Sequence, residues 1–99
     1  MSLSVLVEGV LVAVPVKRIS SAGKPFATAS VRAKGDDGNP VFVSVIAFDA
    51  EAVEAVASLT KGDPVALVGP ATLKTWEKNG EHRAGLSVTA TRVLSLRKG

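Results

Sequence analysis

At 99 residues, 46% hydrophobic and 21% charged, the chain has room for one domain with a single core and no cleft between lobes. Its lack of cysteine excludes disulfides, thiolate metal sites and thiol nucleophiles, its single histidine excludes histidine-rich metal cages, and a net charge of +3 marks no partner by itself. No apolar run reaches the roughly 18 residues of a membrane span, and Met1-Ser2-Leu3-Ser4 lacks the basic start and cleavage site of a signal peptide, so a soluble cytoplasmic protein with no membrane partner is expected.

Residues 3–16, rich in Val and Leu and without a helix cap, read as a long strand bent at Gly9. Residues 17–25 contain Ser20-Ser21-Ala22-Gly23 and read as a loop. Residues 26–34 alternate, with Ala27, Ala29, Val31 and Ala33 on one face and Phe26, Thr28, Ser30, Arg32 and Lys34 on the other. That is a second strand, half-buried, with a polar and basic outer face. Residues 35–40 form a turn. Its Asp36, Asp37 and Asn39 suggest calcium, but it lacks the length and final glutamate of an EF-hand loop, so a plain turn is expected. Residues 41–48 form a third strand, with Val41, Val43, Val45 and Ala47 inward and Phe42, Ser44, Ile46 and Phe48 outward.

The period then changes. Asp49 is a good N-cap, Glu51 and Glu54 suit the positive end of a helix, and Lys61-Gly62 supplies a stop. Ala50, Val53, Val56, Ala57 and Thr60 would form the packed stripe. Residues 65–76 read as a fourth strand interrupted at Gly69-Pro70, because proline cannot donate to a ladder. Asn79-Gly80 centres a hairpin tip over residues 77–82. Residues 83–96 return as a fifth strand, with Leu86, Val88, Ala90 and Val93 inward. Five antiparallel strands with one helix between the third and fourth predict an all-β, five-stranded OB-fold Greek-key barrel, a single domain over residues 1–99.

Charge is polarised along the chain. Residues 17–34 carry +5, residues 35–63 carry −5 and residues 71–99 carry +4. In an OB barrel, the loop flanked by Lys17, Arg18 and Lys24 borders the same face as the hairpin flanked by Lys74, Lys78, His82 and Arg83. Phe26, Phe42 and Phe48 take the parity opposite to the Val/Ala face, and Trp76 ends the fourth strand. Exposed rings beside Arg32, Lys34, Lys74 and Lys78 suit single-stranded nucleic acid, whose bases stack while cations hold its phosphates. The alternative is that the rings cover a second apolar layer or a subunit interface. Arg92, Arg97 and Lys98 read as solvated charges. Nothing in the sequence has the pattern of a catalytic constellation.

The ordered pieces Phe26-Ala27-Thr28-Ala29-Ser30-Val31, Phe42-Val43-Ser44-Val45-Ile46-Ala47-Phe48, Ala52-Val53-Glu54-Ala55-Val56-Ala57 and Lys61-Gly62-Asp63 resemble the bacterial single-stranded DNA-binding protein (SSB) family. So do residues 65–76, ending at Trp76, and the Gly80 and Arg83 of the next hairpin. The resemblance implies a non-enzymatic protein, without metal or cofactor, that coats unpaired DNA regardless of sequence in replication, recombination or repair. It implies base stacking on Phe42, Phe48 and Trp76, association into dimers or tetramers, contacts with replication proteins and a place on the bacterial nucleoid. Two family features have no counterpart: a tryptophan beyond the second strand, where Lys34 meets Gly35-Asp36-Asp37, and an acidic tail after Leu96-Arg97-Lys98-Gly99. The second reading is a PriB-type primosomal interaction module. An OB module for RNA or oligosaccharide is the third.

Overall fold

The computed structural model describes residues 3–34 and 38–96. Its elements run β1 (Leu3–Leu11), β2 (Val16–Ile19), β3 (Pro25–Lys34), β4 (Pro40–Ala47), α1 (Ala50–Ala57), β5 (Pro64–Lys78), β6 (Glu81–Thr89) and β7 (Arg92–Ser95). The hydrogen-bonded order is β1-β3-β4-β6-β5, and β1 pairs back onto β5, so these five strands close into a barrel. Closure leaves few unpaired edges, the usual answer to sheet exposure in all-β proteins. β2 and β7 are added on the outside, paired with β3 and β5 respectively.

The helix therefore lies between β4 and β5, not between the third and fourth of five strands as predicted. The count differs because β2 forms mostly within the predicted loop and the last predicted strand is divided. Residues 12–15, ending at Pro15, leave the barrel after Leu11, and β2 then starts a hairpin with β3. Residues 17–19 and 25 of the predicted loop over 17–25 are consequently strand. Only residues 20–24 turn, closed by the Ser20 N–H on the Lys24 carbonyl at 2.8 Å, with Gly23 at φ +81°. The last predicted strand breaks at Ala90-Thr91, where the Ala90 N–H donates to the Ile46 carbonyl and the Thr91 N–H to that of Val68. Nor is every pair antiparallel: β4 and β6 run parallel, because the long excursion through α1 and β5 brings the chain back in the same direction.

β5 is continuous through Pro70, contrary to the predicted interruption. On one side of this strand, β7 pairs with Val65 to Val68 and β6 takes over from Ala71. Pro70 falls at that handover, where its missing N–H leaves no ladder bond unmade. Gly69 sits there too, and a Cβ on it would come 1.9 Å from the Thr89 carbonyl oxygen. Gly9 marks where β1, still paired with β5, begins to pair with β3 as well, and a Cβ there would lie 2.5 Å from the Arg32 carbonyl oxygen.

Val7, Leu11, Val31, Val43, Val45, Val65, Leu67 and Val88 fill the barrel, with Leu59 beneath them. Branched aliphatic side chains suit a narrow interior, and each contributes roughly 1.5–3 kcal/mol when fully buried. α1 covers one end. Asp49 caps it by accepting the Glu51 N–H at 3.0 Å, as its residue type predicts. The helix ends at Ser58 rather than at Lys61-Gly62. The Asp63 carboxylate takes the Thr60 N–H at 2.8 Å, which ties the following residues into a turn. The packed stripe is Ala52, Val53 and Val56 against Ala27 and Ala47, while Ala50 and Thr60 are exposed. Alanines on both sides let the helix approach closely.

Candidate nucleic-acid interface

Strand alternation divides β3 and β4 into a barrel-facing set and an outward set. Outward residues pair across the sheet in rows, because partners in a ladder share a face. One row reads Arg32, Phe42, Gly85 and Lys74, across β3, β4, β6 and β5. The next reads Ser30, Ser44, Ser87 and Thr72, and the one after it Thr28, Ile46 and Thr89. At the far end, Phe26 of β3 meets Phe48, with ring centroids 6.2 Å apart and planes tilted by 34°.

Phe42 is 50% exposed, Phe48 60% and Trp76 44%. In a core built from valine, leucine and alanine, rings left this open are not serving as filling. Trp76 is held by Gly85. A Cβ on that glycine would lie 3.2 Å from Trp76 Cζ3 and Cη2 and 3.0 Å from the Phe42 carbonyl oxygen, so the indole rests across bare backbone next to Phe42. Gly85→Ala should therefore displace the indole. The expected result is a shifted tryptophan emission and weaker single-strand binding with little change in melting temperature. An unaltered emission spectrum would contradict the packing.

The β3–β4–β6–β5 register brings one cation from each basic block into the same row. Arg32 from the first and Lys74 from the third flank Phe42 in one row, with Lys34 exposed at the end of β3. Arg18 lies opposite Phe26, and Lys24 is exposed in the β2–β3 turn. Lys17 is not brought to the rings: it pairs opposite Ala27, and its Nζ lies 2.6 Å from Glu54 Oε1 on α1. The side chains of Lys78, His82 and Arg83 lie outside the described part, as do residues 35–37 of the predicted turn and residues 97–99. Glu51 and Glu54 are exposed on α1, which packs on the barrel-facing side of β3 and β4. Among the described residues, no group of histidine and carboxylate side chains is placed to hold a metal ion.

Three features escaped sequence reasoning. Gly85 as a seat for Trp76 had a faint signal, since a glycine inside a strand often marks a close approach. The serine row could be assembled only once the β4–β6 register was known. The Lys17–Glu54 pair joins residues 37 apart and had no local signal.

A strand-and-helix layout of this kind, with exposed rings and cations on one sheet face, defines an OB-type oligonucleotide-binding barrel. The chain matches the single-strand binding protein family over residues 3–96 and belongs to that family. Membership makes it a non-enzymatic protein and implies single-stranded DNA as its ligand. No curated protein matches it in sequence. Among solved structures it is similar to the small single-stranded DNA-binding protein from Streptomyces coelicolor, at 22% identity and TM-score 0.77, covering 96% of this chain and 94% of that one. It is also similar to a mitochondrial single-stranded DNA binding protein from S. cerevisiae, at 15% identity and TM-score 0.74, covering 100% and 99%. At these identities the likeness shows the fold alone.

Proposed function

We propose that this protein coats single-stranded DNA without sequence preference, by stacking bases on Phe42 and Trp76 and, at the far end of the face, on Phe48. Arg18, Lys24, Arg32, Lys34 and Lys74 contact the phosphates, joined by Lys78 and Arg83 of the hairpin. Its setting is DNA replication, recombination or repair. The observation that carries this reading is the row Arg32–Phe42–Gly85–Lys74 with the Trp76 indole laid across Gly85. Phe42 adjoins the glycine that seats Trp76, and a cation stands at each end of the row. Stacking needs no base-specific hydrogen bond, so such a face serves every sequence. Phe42 of β4 and Phe48 just beyond its end are six residues apart, about 20 Å of extended chain, a span for several nucleotides.

Anisotropy titrations with oligo-dT, oligo-U and duplex DNA at two salt concentrations test it. Oligo-dT should bind well ahead of duplex. Its affinity should fall with salt at a slope of about 0.7 per phosphate contacted. Equal binding of duplex, or binding insensitive to salt, would contradict the reading.

Self-association belongs to the same proposal. Residues 3–8 of β1 pair with β5 on one side only, and Leu3 and Leu6 are exposed beside the open edge. A second copy of β1 satisfies those backbone groups. Sedimentation should therefore show a dimer or larger at micromolar concentration, and Leu6→Lys should shift it toward monomer. A parent that sediments only as a monomer would overturn this.

A further inference from the structure

Between the two ring clusters, the outer face is neither flat nor aromatic. A groove of about 430 Å³ lies there, with a floor from β3, β4 and β6 and one wall from Val14 and Val16. Its floor carries the Ser30–Ser44–Ser87 row, and Ile46 lies one row away. Ser30 and Ser44 are exposed and Ser87 is half-buried. Among the described residues, none of these three hydroxyls has a hydrogen-bond partner. Each keeps one donor and free acceptor capacity.

We infer that this groove is a base-inserting subsite, in which one nucleobase of the bound strand lays its ring against the Val16/Ile46 side and its unpaired Watson–Crick edge over the serine hydroxyls. The occupant is set by place and chemistry. The groove is lined by Ser44 and Ile46 of β4, which lie between Phe42 and Phe48 along the chain, so a strand that reaches both rings passes over it. Apolar walls over a polar floor match a flat ring with a hydrogen-bonding edge. A hydroxyl can donate or accept, so the row satisfies any base without selecting one. The subsite rests on the proposed stacking function and adds to it a requirement for a polar base edge.

Stacking alone makes the opposite prediction, which allows a test. Binding is measured for oligo-dT and for an oligomer of the same length whose central thymines are replaced by difluorotoluene, a nonpolar isostere of the same shape. Two variants accompany the parent: Ser30→Thr/Ser44→Thr/Ser87→Thr, which keeps all three hydroxyls, and Ser30→Val/Ser44→Val/Ser87→Val, which has nearly the same volume and none. Added bulk is thereby matched, and both residue types favour strands. The parent and the Thr variant should prefer oligo-dT by about fivefold per hydrogen bond. The Val variant should lose that preference. Equal binding of the two oligomers by the parent, or a preference that survives in the Val variant, overturns the subsite while leaving the stacking reading intact. Failure of the parent to bind oligo-dT at all removes both.

Discussion

Trp76→Ala is expected to weaken oligo-dT binding by about ten- to a hundredfold, within the range of roughly 1–3 kcal/mol measured per stacked base. The magnitude follows from where the ring sits. Its face is open to solvent, its underside rests on Gly85, and Lys74 lies two residues before it on the same strand. Because Trp76 is outside both packed clusters of the core, truncation should leave the melting temperature nearly unchanged. Phe42→Ala should weaken binding by about tenfold, because its ring is exposed on the same face, on β4 across β6 from Trp76. Arg92→Ala on β7, outside the ring face, should have little effect. Fluorescence anisotropy with a labelled oligo-dT, preceded by a melting curve for each variant, makes the comparison. Folded Trp76→Ala and Phe42→Ala proteins that bind like the parent would place the DNA elsewhere.

Gly69→Ala should produce the largest loss of stability. The added methyl would meet the Thr89 carbonyl oxygen at 1.9 Å and the Ala90 Cα at 3.2 Å, and both are backbone atoms that cannot rotate aside. The strands must separate where β5 passes from β7 to β6, the point at which the barrel changes partners. Overpacking of this kind costs about 3 kcal/mol or more, which lowers the melting temperature of a domain this size by roughly 12 °C or more. Gly62→Ala is the useful contrast. Gly62 has φ +92°, but a Cβ added there would meet nothing within 4 Å, so only the conformational cost applies, about 1–2 kcal/mol. Thermal melts of the two variants should rank Gly69→Ala clearly below Gly62→Ala. The reverse order would contradict the close crossing at residue 69.

Much of this architecture is legible in residue order because each local signal agrees with its tertiary environment. Alternation in residues 26–34 and 41–48 assigned the inward and outward faces, since one side of each strand fills the barrel and the other meets solvent. Asp49 announced the helix start, and Asn79-Gly80 the hairpin, where both residues indeed have positive φ, +53° and +78°. The two additional strands were not legible. Nothing local separates residues 3–11 from 16–19 except Pro15, because the break reflects a change of partner and not of propensity. Pro70 misled for the converse reason: its effect depends on whether the missing N–H had a ladder partner, and at a handover it has none. The helix end was displaced by the Asp63 carboxylate, a contact that exists only after residues 60–63 have turned. Phe42, Phe48 and Trp76 were found as exposed rings by parity and resemblance. Which of them stand together required the β4–β6 and β5–β6 registers.

Trp76 is the only tryptophan, so its emission reports directly on the proposed stacking face. The decisive measurement is a titration of that emission with oligo-dT, run beside anisotropy on the same samples. Stacking on Trp76 requires quenching that saturates at the same oligo-dT concentration as the anisotropy, shifts to higher concentration with added salt, and is absent with duplex DNA. Anisotropy that shows oligo-dT fully bound while the emission stays unchanged would contradict the claim that bases stack on this face.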